Sequence, residues 1–287
     1  MANFNFIPSF DGNVSPGQPL MVFSHIPKSA GTSFNSAIIA AYGQHGVANH
    51  LVGRIYTSNL LEIKEKVDGH KQLGHPITGF ISTTIPVETI TTFNVPVRLV
   101  TIVREASSRV ISHYCYQCMR AQNKPTLEEF IEFYRLAENQ NVACQTILGT
   151  ESIGKGDGLQ AYQMLEQYYY AYCTVKDINA LTMSVLSTEG LPNVVMAKEN
   201  YTLSEYKLTD IPTEVLAEIA QLNQEDSVLY EHVSAKPKIP NPIHKSSING
   251  NTIKITCDQN EERYEGIVES FLTTDLGSYA PDVKVTL

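Results

Sequence analysis

Two segments of the same build constrain this chain most. Leu20 to Ser24 (LMVFS) and Val97 to Val103 (VRLVTIV) are short, almost continuously apolar runs. Each is followed by a loop carrying a cation, Lys28 or Arg104, and then by residues of good helical propensity. A strand without polar alternation is buried on both faces, and both faces are covered when a parallel sheet lies between layers of helices. Strand, loop and helix, met twice, therefore predict an α/β fold with a central parallel sheet flanked by helices.

The remaining pattern extends that scheme. A helix is predicted over 33–42, stopped by Gly43, and a second from about Arg109 through SHYCYQCMRA, capped by Ser107 or Ser108. Further helices are expected over 60–67, 126–139, 158–171 and 178–187, with short strands within 72–80 and over 172–176 and 193–198. Pro212 opens what reads as one long helix, TEVLAEIAQLNQEDSVLYEHV. Residues 1–19, rich in Asn, Pro and Gly, read as an irregular lead-in to a main domain over 20–235. The Pro-rich KPKIPNP stretch begins an extension over 236–287 that leans toward β-structure.

Composition narrows the function classes. With 287 residues, 43% of them hydrophobic and 18% charged, the chain can bury a substantial core. It contains no run of about 18 uncharged apolar residues, so no membrane span is expected. Its first residues lack the basic-then-apolar pattern of a secretory signal, and the expected location is the cytoplasm. A formal charge of −9 argues against electrostatic capture of nucleic acid, so any bound anion must be held by local groups. The 5 cysteines are an odd number scattered along the chain and read as reduced thiols. Cys115-Tyr116-Gln117-Cys118 spells C-x-x-C inside a predicted helix, where packing is a simpler reading than zinc or redox chemistry.

In parallel sheets, ligands bind beyond the carboxyl ends of the strands, where helix N-termini offer open backbone N–H groups and partial positive charge. Lys28 and Arg104 both stand there, as expected for a ligand with two separated anionic groups. Gly31 is read as letting the backbone approach an oxyanion, and Thr32 and Ser33 as adding hydroxyl donors. An ATP-type phosphate loop, G-x-x-x-x-G-K-[ST], is not what this loop spells. The nearest approach to that motif runs from Gly149 to Gly156; it ends in Gly and follows a predicted helix, and it reads as a chance match.

His25-Ile26-Pro27-Lys28-Ser29-Ala30-Gly31-Thr32-Ser33 resembles the 5′-phosphosulfate loop of sulfotransferases, particularly the carbohydrate type related to heparan sulfate 2-O-sulfotransferase, whose usual form is close to H-I-P-K-T-G-G-T-S. The stretch from Arg104 to Tyr114 (REASSRVISHY) resembles that family's 3′-phosphate motif, R-D-P-x-x-R-x-x-S-x-Y. Two weaker likenesses lie further along, NVACQTILG over 141–149 with N-x-x-x-Q-T, and NQEDSVLY over 223–230 with N-x-x-D-x-x-L-Y. Ser29-Ala30 stands where the family has Thr-Gly, and Glu105-Ala106 where it has Asp-Pro.

The resemblance implies a P-loop-like fold and the donor 3′-phosphoadenosine-5′-phosphosulfate (PAPS). It implies that Lys28 stabilises charge on the bridging oxygen as the S–O bond breaks, and that Ser29, Ala30, Gly31, Thr32 and Ser33 hold the 5′-phosphate. Arg104 and Ser112 would take the 3′-phosphate, while Arg109 between them reads as a structural ion-pair residue. Leu73-Gly74-His75 resembles the family's H-G-H segment and makes His75 the expected general base. His25 is expected to brace the loop, and His113 lies in the helix of the second motif.

The partner would be a hydroxyl-bearing acceptor, a carbohydrate or small metabolite, and an acidic chain favours a neutral or weakly charged one. Tyr168, Tyr169, Tyr170, Phe130, Phe133 and Tyr134 are stacking candidates, with core packing the alternative. Two other readings stay open at this level: a P-loop-like ATP-dependent kinase, and a nucleotide-binding module without catalysis.

Overall fold

The computed structural model describes residues 20–43, 51–54, 65, 68, 79–83, 96–188, 193–196, 206–240, 252–259, 262–269 and 283–286. The two apolar runs are strands β1 (Leu20–Ser24) and β4 (Val97–Val103), every residue of both buried. With β2 (Leu51–Arg54), β3 (Gly79–Thr83) and β5 (Tyr169–Thr174) they form a five-stranded sheet in the order β2-β3-β1-β4-β5. All its pairings are parallel. The fold is thus α/β, and β1 and β4 are neighbours in register from Leu20 opposite Val97 to Ser24 opposite Thr101. Thr101 Oγ1 donates to the Ser24 carbonyl at 2.8 Å, fastening the two strand ends together.

Helix α1 (Gly31–Gly43) follows β1, and α2 (Ala106–Ala121) follows β4. The second starts three residues before the expected Arg109, and its cap is neither serine. Glu105 caps it instead: its two carboxylate oxygens accept from the backbone N–H groups of Ser107 and Ser108, each at 2.8 Å. Burial opposes ionisation of Glu105, but these bonds outweigh it and hold the carboxyl below its ordinary range.

The segment expected as one helix over 126–139 is α3 (Leu127–Arg135), capped by Thr126, followed by a 3-10 turn at Ala137–Asn139. Next come α4 (Val142–Leu148) and α5 (Asp157–Tyr168). The strand expected at 172–176 begins earlier, at Tyr169, because that residue already pairs with Leu99 of β4. Helix α6 (Ile178–Thr188) leads to β6 (Asn193–Met196). The long helix after Pro212 is two, α7 (Thr213–Leu222) and α8 (Gln224–Ala235), broken at Asn223. Of the helix expected over 60–67 only Glu65 is described, and it is helical. Residues 72–78 lie outside the described residues.

Two apolar clusters hold these layers. One joins β1, β4 and β5 to α4, α5 and α8 through Val22, Leu99, Tyr172, Ile147, Leu165 and Leu229. The other joins α2, α3 and α7 through Val110, Tyr114, Phe130, Tyr134 and Ile219. Phe130 and Tyr134 are therefore core residues, and the Tyr134 hydroxyl donates to Glu218 at 2.8 Å. Cys115, Cys118, Cys144 and Cys173 are free and buried.

Residues just beyond α8 cover the edge of the parallel sheet. Tyr172 and Lys238 exchange backbone hydrogen bonds of 2.9 Å in each direction, and Lys238 Nζ donates to the Tyr169 carbonyl at 2.7 Å. An edge strand left open would invite pairing with another chain, so this bridge has a protective role. Strands β7 (Thr252–Gln259), β8 (Glu262–Glu269) and β9 (Val283–Thr286) join β6 in an antiparallel sheet of order β6-β8-β7-β9. Among the described residues no helix is long and apolar enough to cross a membrane.

Candidate anion-binding site

Because β1 and β4 are adjacent and parallel, the loops leaving them emerge side by side. Arg104 reaches from one loop to the other: its Nη1 donates to the Lys28 carbonyl at 3.0 Å. Burial pulls the Arg104 guanidinium down from its ordinary value, while the Glu105 carboxylate opposes that shift. The two cations picked out from sequence thus meet at adjoining strand ends, and Arg104 fixes the backbone that carries Lys28.

That backbone is unusual. Lys28 (φ 63°) and Ala30 (φ 60°) both occupy the left-handed region without being glycine. Between them Ser29 is fully buried, its N–H donating to the Ile26 carbonyl at 3.3 Å. The Ser29 hydroxyl has no hydrogen-bond partner among the described residues. The Ala30 carbonyl accepts from Phe34 N–H at 3.2 Å, so the chain turns directly into α1. Thr32 and Ser33 lie half-buried in the first turn of α1, which contains no acidic residue. The first amides of a helix have no partner within it, and together with these hydroxyls they make a donor-rich cradle without a repelling carboxylate.

Packing also requires glycine at position 31. A Cβ there would sit 2.2 Å from Cδ2 and Nε2 of His25. The buried His25 ring stacks on Phe23, with centroids 5.5 Å apart, and fills the space a side chain at 31 would take. His25 therefore braces the loop by packing against the one residue that leaves it room.

Helix α2 supplies the other wall. Ser108, Ser112 and Tyr116 recur every four residues and so share one stripe of the helix. Lys28 Nζ lies over the Tyr116 ring, 3.7 Å from its centroid. This contact was not foreseen from sequence, although the spacing from Ser112 would have placed Tyr116 on the same face. His113 is close enough to feel the charges of Lys28 and Arg109; burial first, and then those two charges, bring its imidazole down to about 4. It is accordingly neutral at pH 7, with its ring edge-on to Phe133 at 5.3 Å and Nε2 beside Gln117 Nε2 at 3.3 Å.

Arg109, from the same motif, is engaged in the interior. It is fully buried, and its Nη2 donates to the Asn139 carbonyl at 2.8 Å. Burial lowers its guanidinium pKa, with Asp226 offsetting and Arg104 adding to the shift. Asp226 itself accepts from Ala143 N–H (3.1 Å) and Cys144 N–H (2.9 Å), capping α4 from α8. Asn141 completes the knot: its N–H donates to Asn223 Oδ1 at 2.9 Å, and its Oδ1 accepts from Asp226 N–H at 3.1 Å. The two weaker sequence likenesses, over 141–149 and 223–230, meet here in one structural clasp.

The Gly149–Gly156 stretch is a connection between α4 and α5. Gly154 N–H donates to Asp157, and Gly156 N–H to Glu225 at 3.1 Å, so its amides are turned toward carboxylates and not toward a phosphate. His75 lies outside the described residues. Among the stacking candidates, Tyr169 is buried in β5, and the Tyr170 hydroxyl donates to Thr188 at 3.0 Å. Among the described residues no group of His, Cys, Asp and Glu is arranged to hold a metal ion. No family model matches the sequence, and no curated protein matches it.

Proposed function

We propose that the chain is a sulfotransferase of P-loop-like fold, moving a sulfuryl group from PAPS to a hydroxyl acceptor, a carbohydrate or small metabolite. The observation that carries the reading is the 3.0 Å bond from Arg104 to the Lys28 carbonyl. It unites two motifs 76 residues apart into one cationic site at adjacent strand ends. The residues present fit such a donor: among the described residues the Ser29 hydroxyl is buried without a partner, the first turn of α1 carries hydroxyls and no carboxylate, and the Glu105 carboxylate is engaged by the amides of its own helix.

The two helix N-termini divide the work. The amides at the start of α1, with Ser29, Thr32 and Ser33, are open to an anion, and this is the 5′-phosphate side. The amides opening α2 are already satisfied by Glu105, so the 3′-phosphate is taken by side chains, the remaining N–H edge of Arg104 and the Ser112 hydroxyl. When bound, PAPS supplies the activated sulfuryl group. With the donor bound, the Lys28 ammonium would stabilise negative charge developing on the leaving phosphate oxygen, an interaction stronger in the transition state than before it. His75 is the base proposed from the resemblance to accept the acceptor proton.

The test is incubation with sulfur-labelled PAPS and a panel of glycan, lipid and phenolic acceptors, read by mass spectrometry for a sulfate adduct. Lys28→Ala and His75→Ala should each abolish most transfer. Tight binding of 3′,5′-phosphoadenosine with no response to ATP plus magnesium is expected; an ATP-driven phosphate adduct would replace this reading with the kinase. Nucleotide binding with no adduct on any acceptor would replace it with a binding module.

A further inference from the structure

The contact between Lys28 and Tyr116 adds a role that the two helix N-termini do not supply. Resting on the transferase reading, we propose that Tyr116 is a positioning residue for Lys28, holding the ammonium over α2 in the orientation from which it meets the leaving oxygen. The geometry favours this role. Lys28 Nζ stands 3.7 Å from the ring centroid, within the range in which a cation is drawn to an aromatic face. A ring under the ammonium engages one side of it and leaves the N–H groups on the far side directed away from the helix.

Both ends of the lysine are thereby fixed. Its carbonyl is gripped by Arg104, and its backbone sits in the left-handed region, which sets the direction in which the side chain leaves the loop. A lysine side chain already ordered on a ring loses less freedom at the moment of reaction. Tyr116 also follows Ser112 by one helical turn, so one stripe of α2 carries both the hydroxyl assigned to the 3′-phosphate and the platform for the lysine. The neutral His113 next to that stripe adds no competing positive charge.

Tyr116→Leu removes the ring and keeps an apolar side chain; Tyr116→Phe keeps the ring and removes the hydroxyl. A positioned lysine predicts that the Leu variant loses about twofold to thirtyfold in kcat, the range set by a cation–π contact, with KM for PAPS within about twofold of wild type. The Phe variant recovers the rate to within about threefold. In a Lys28→Ala background the Leu substitution has no further effect, since its consequence passes through the lysine. Independently of turnover, the ring should shift the ε-methylene protons of Lys28 upfield in the NMR spectrum of the wild type, and Tyr116→Leu should abolish the shift.

An unshifted Lys28, a Leu variant as fast as wild type, or a loss that persists without Lys28 overturns the inference while the transferase reading stands. A wild-type chain that sulfates nothing overturns the transferase reading and the catalytic part of this inference together. The NMR shift then still decides whether the ring holds the lysine.

Discussion

Ala30→Gly is the most direct probe of the loop. The Ala30 backbone sits at φ 60°, where an L-residue with a Cβ is about 1–2 kcal/mol less stable than in the right-handed region. Glycine removes that penalty but adds freedom to the unfolded chain, at a cost of roughly 0.5–1 kcal/mol. The difference predicts a net gain of up to about 1.5 kcal/mol, centred at roughly 0.7 kcal/mol. In urea the unfolding midpoint should rise with an unchanged slope, and on heating Tm should rise by about 1–4 °C. The neighbouring position predicts the opposite sign. In Gly31→Ala the new Cβ would lie 2.2 Å from two atoms of the His25 ring and 3.0 Å from Phe23 Cε1, overpacking that costs about 1–3 kcal/mol. Two adjacent substitutions with the same pair of residue types, exchanged in direction, should therefore move stability up in one case and down in the other. A loss of stability in Ala30→Gly, or a neutral Gly31→Ala, would refute the reading of this turn.

Glu105→Ala should cost about 1–2 kcal/mol in urea unfolding, because two backbone N–H groups at the start of α2 lose their acceptor. Asp226→Ala uncaps α4 and leaves the buried Arg109 without its balancing charge, so a larger loss of about 3–5 kcal/mol is expected in the same assay. His113→Gln should flatten the acid side of the stability profile. The folded imidazole titrates near 4, below the ordinary value of 6.5. From pH 6.5 down to about 4 the unfolded chain therefore binds the extra proton, and stability falls with pH. Screening of this half-buried group reduces the effect to about 1–2 kcal/mol at pH 5, measured as the difference between wild type and variant in urea midpoints at pH 7 and pH 5.

The strands β1 and β4 were legible because a continuous apolar run has only one comfortable place, the middle of a covered sheet. The boundary between α5 and β5 was not, because it falls within Tyr168-Tyr169-Tyr170, where residue type does not distinguish the last turn of a helix from the first residues of a strand. Pairing with Leu99 decides it, and that partner lies 70 residues away. The break at Asn223 was hidden for a similar reason. Its sequence surroundings favour one helix, and the side chain that ends it is held by the Asn141 amide of another segment. The cap of α2 went to Glu105 because a longer acidic side chain can reach two amides at once, where either serine offers a single oxygen. In the site, Lys28 and Arg104 were legible as cations beyond strand ends. The ring beneath Lys28 depends on how α2 packs across the loop, which local pattern does not encode.

The residues that carry the family resemblance separate into two physical jobs when followed into the structure. One set, from His25 to Ser33 with Arg104, lies at the strand end that leads into α1, where Arg104 donates to the Lys28 carbonyl. The other set, Arg109, Asn141, Asn223 and Asp226, lies among α2, α4 and α8 and consists of donors and acceptors that engage one another. Helix α2 contributes to both, with Ser108 and Ser112 half-buried and Arg109 fully buried. A shift of α2 that disturbed the clasp would also move Ser112 and Tyr116 relative to Lys28. The buried arginine thus reaches the candidate site mechanically through its helix.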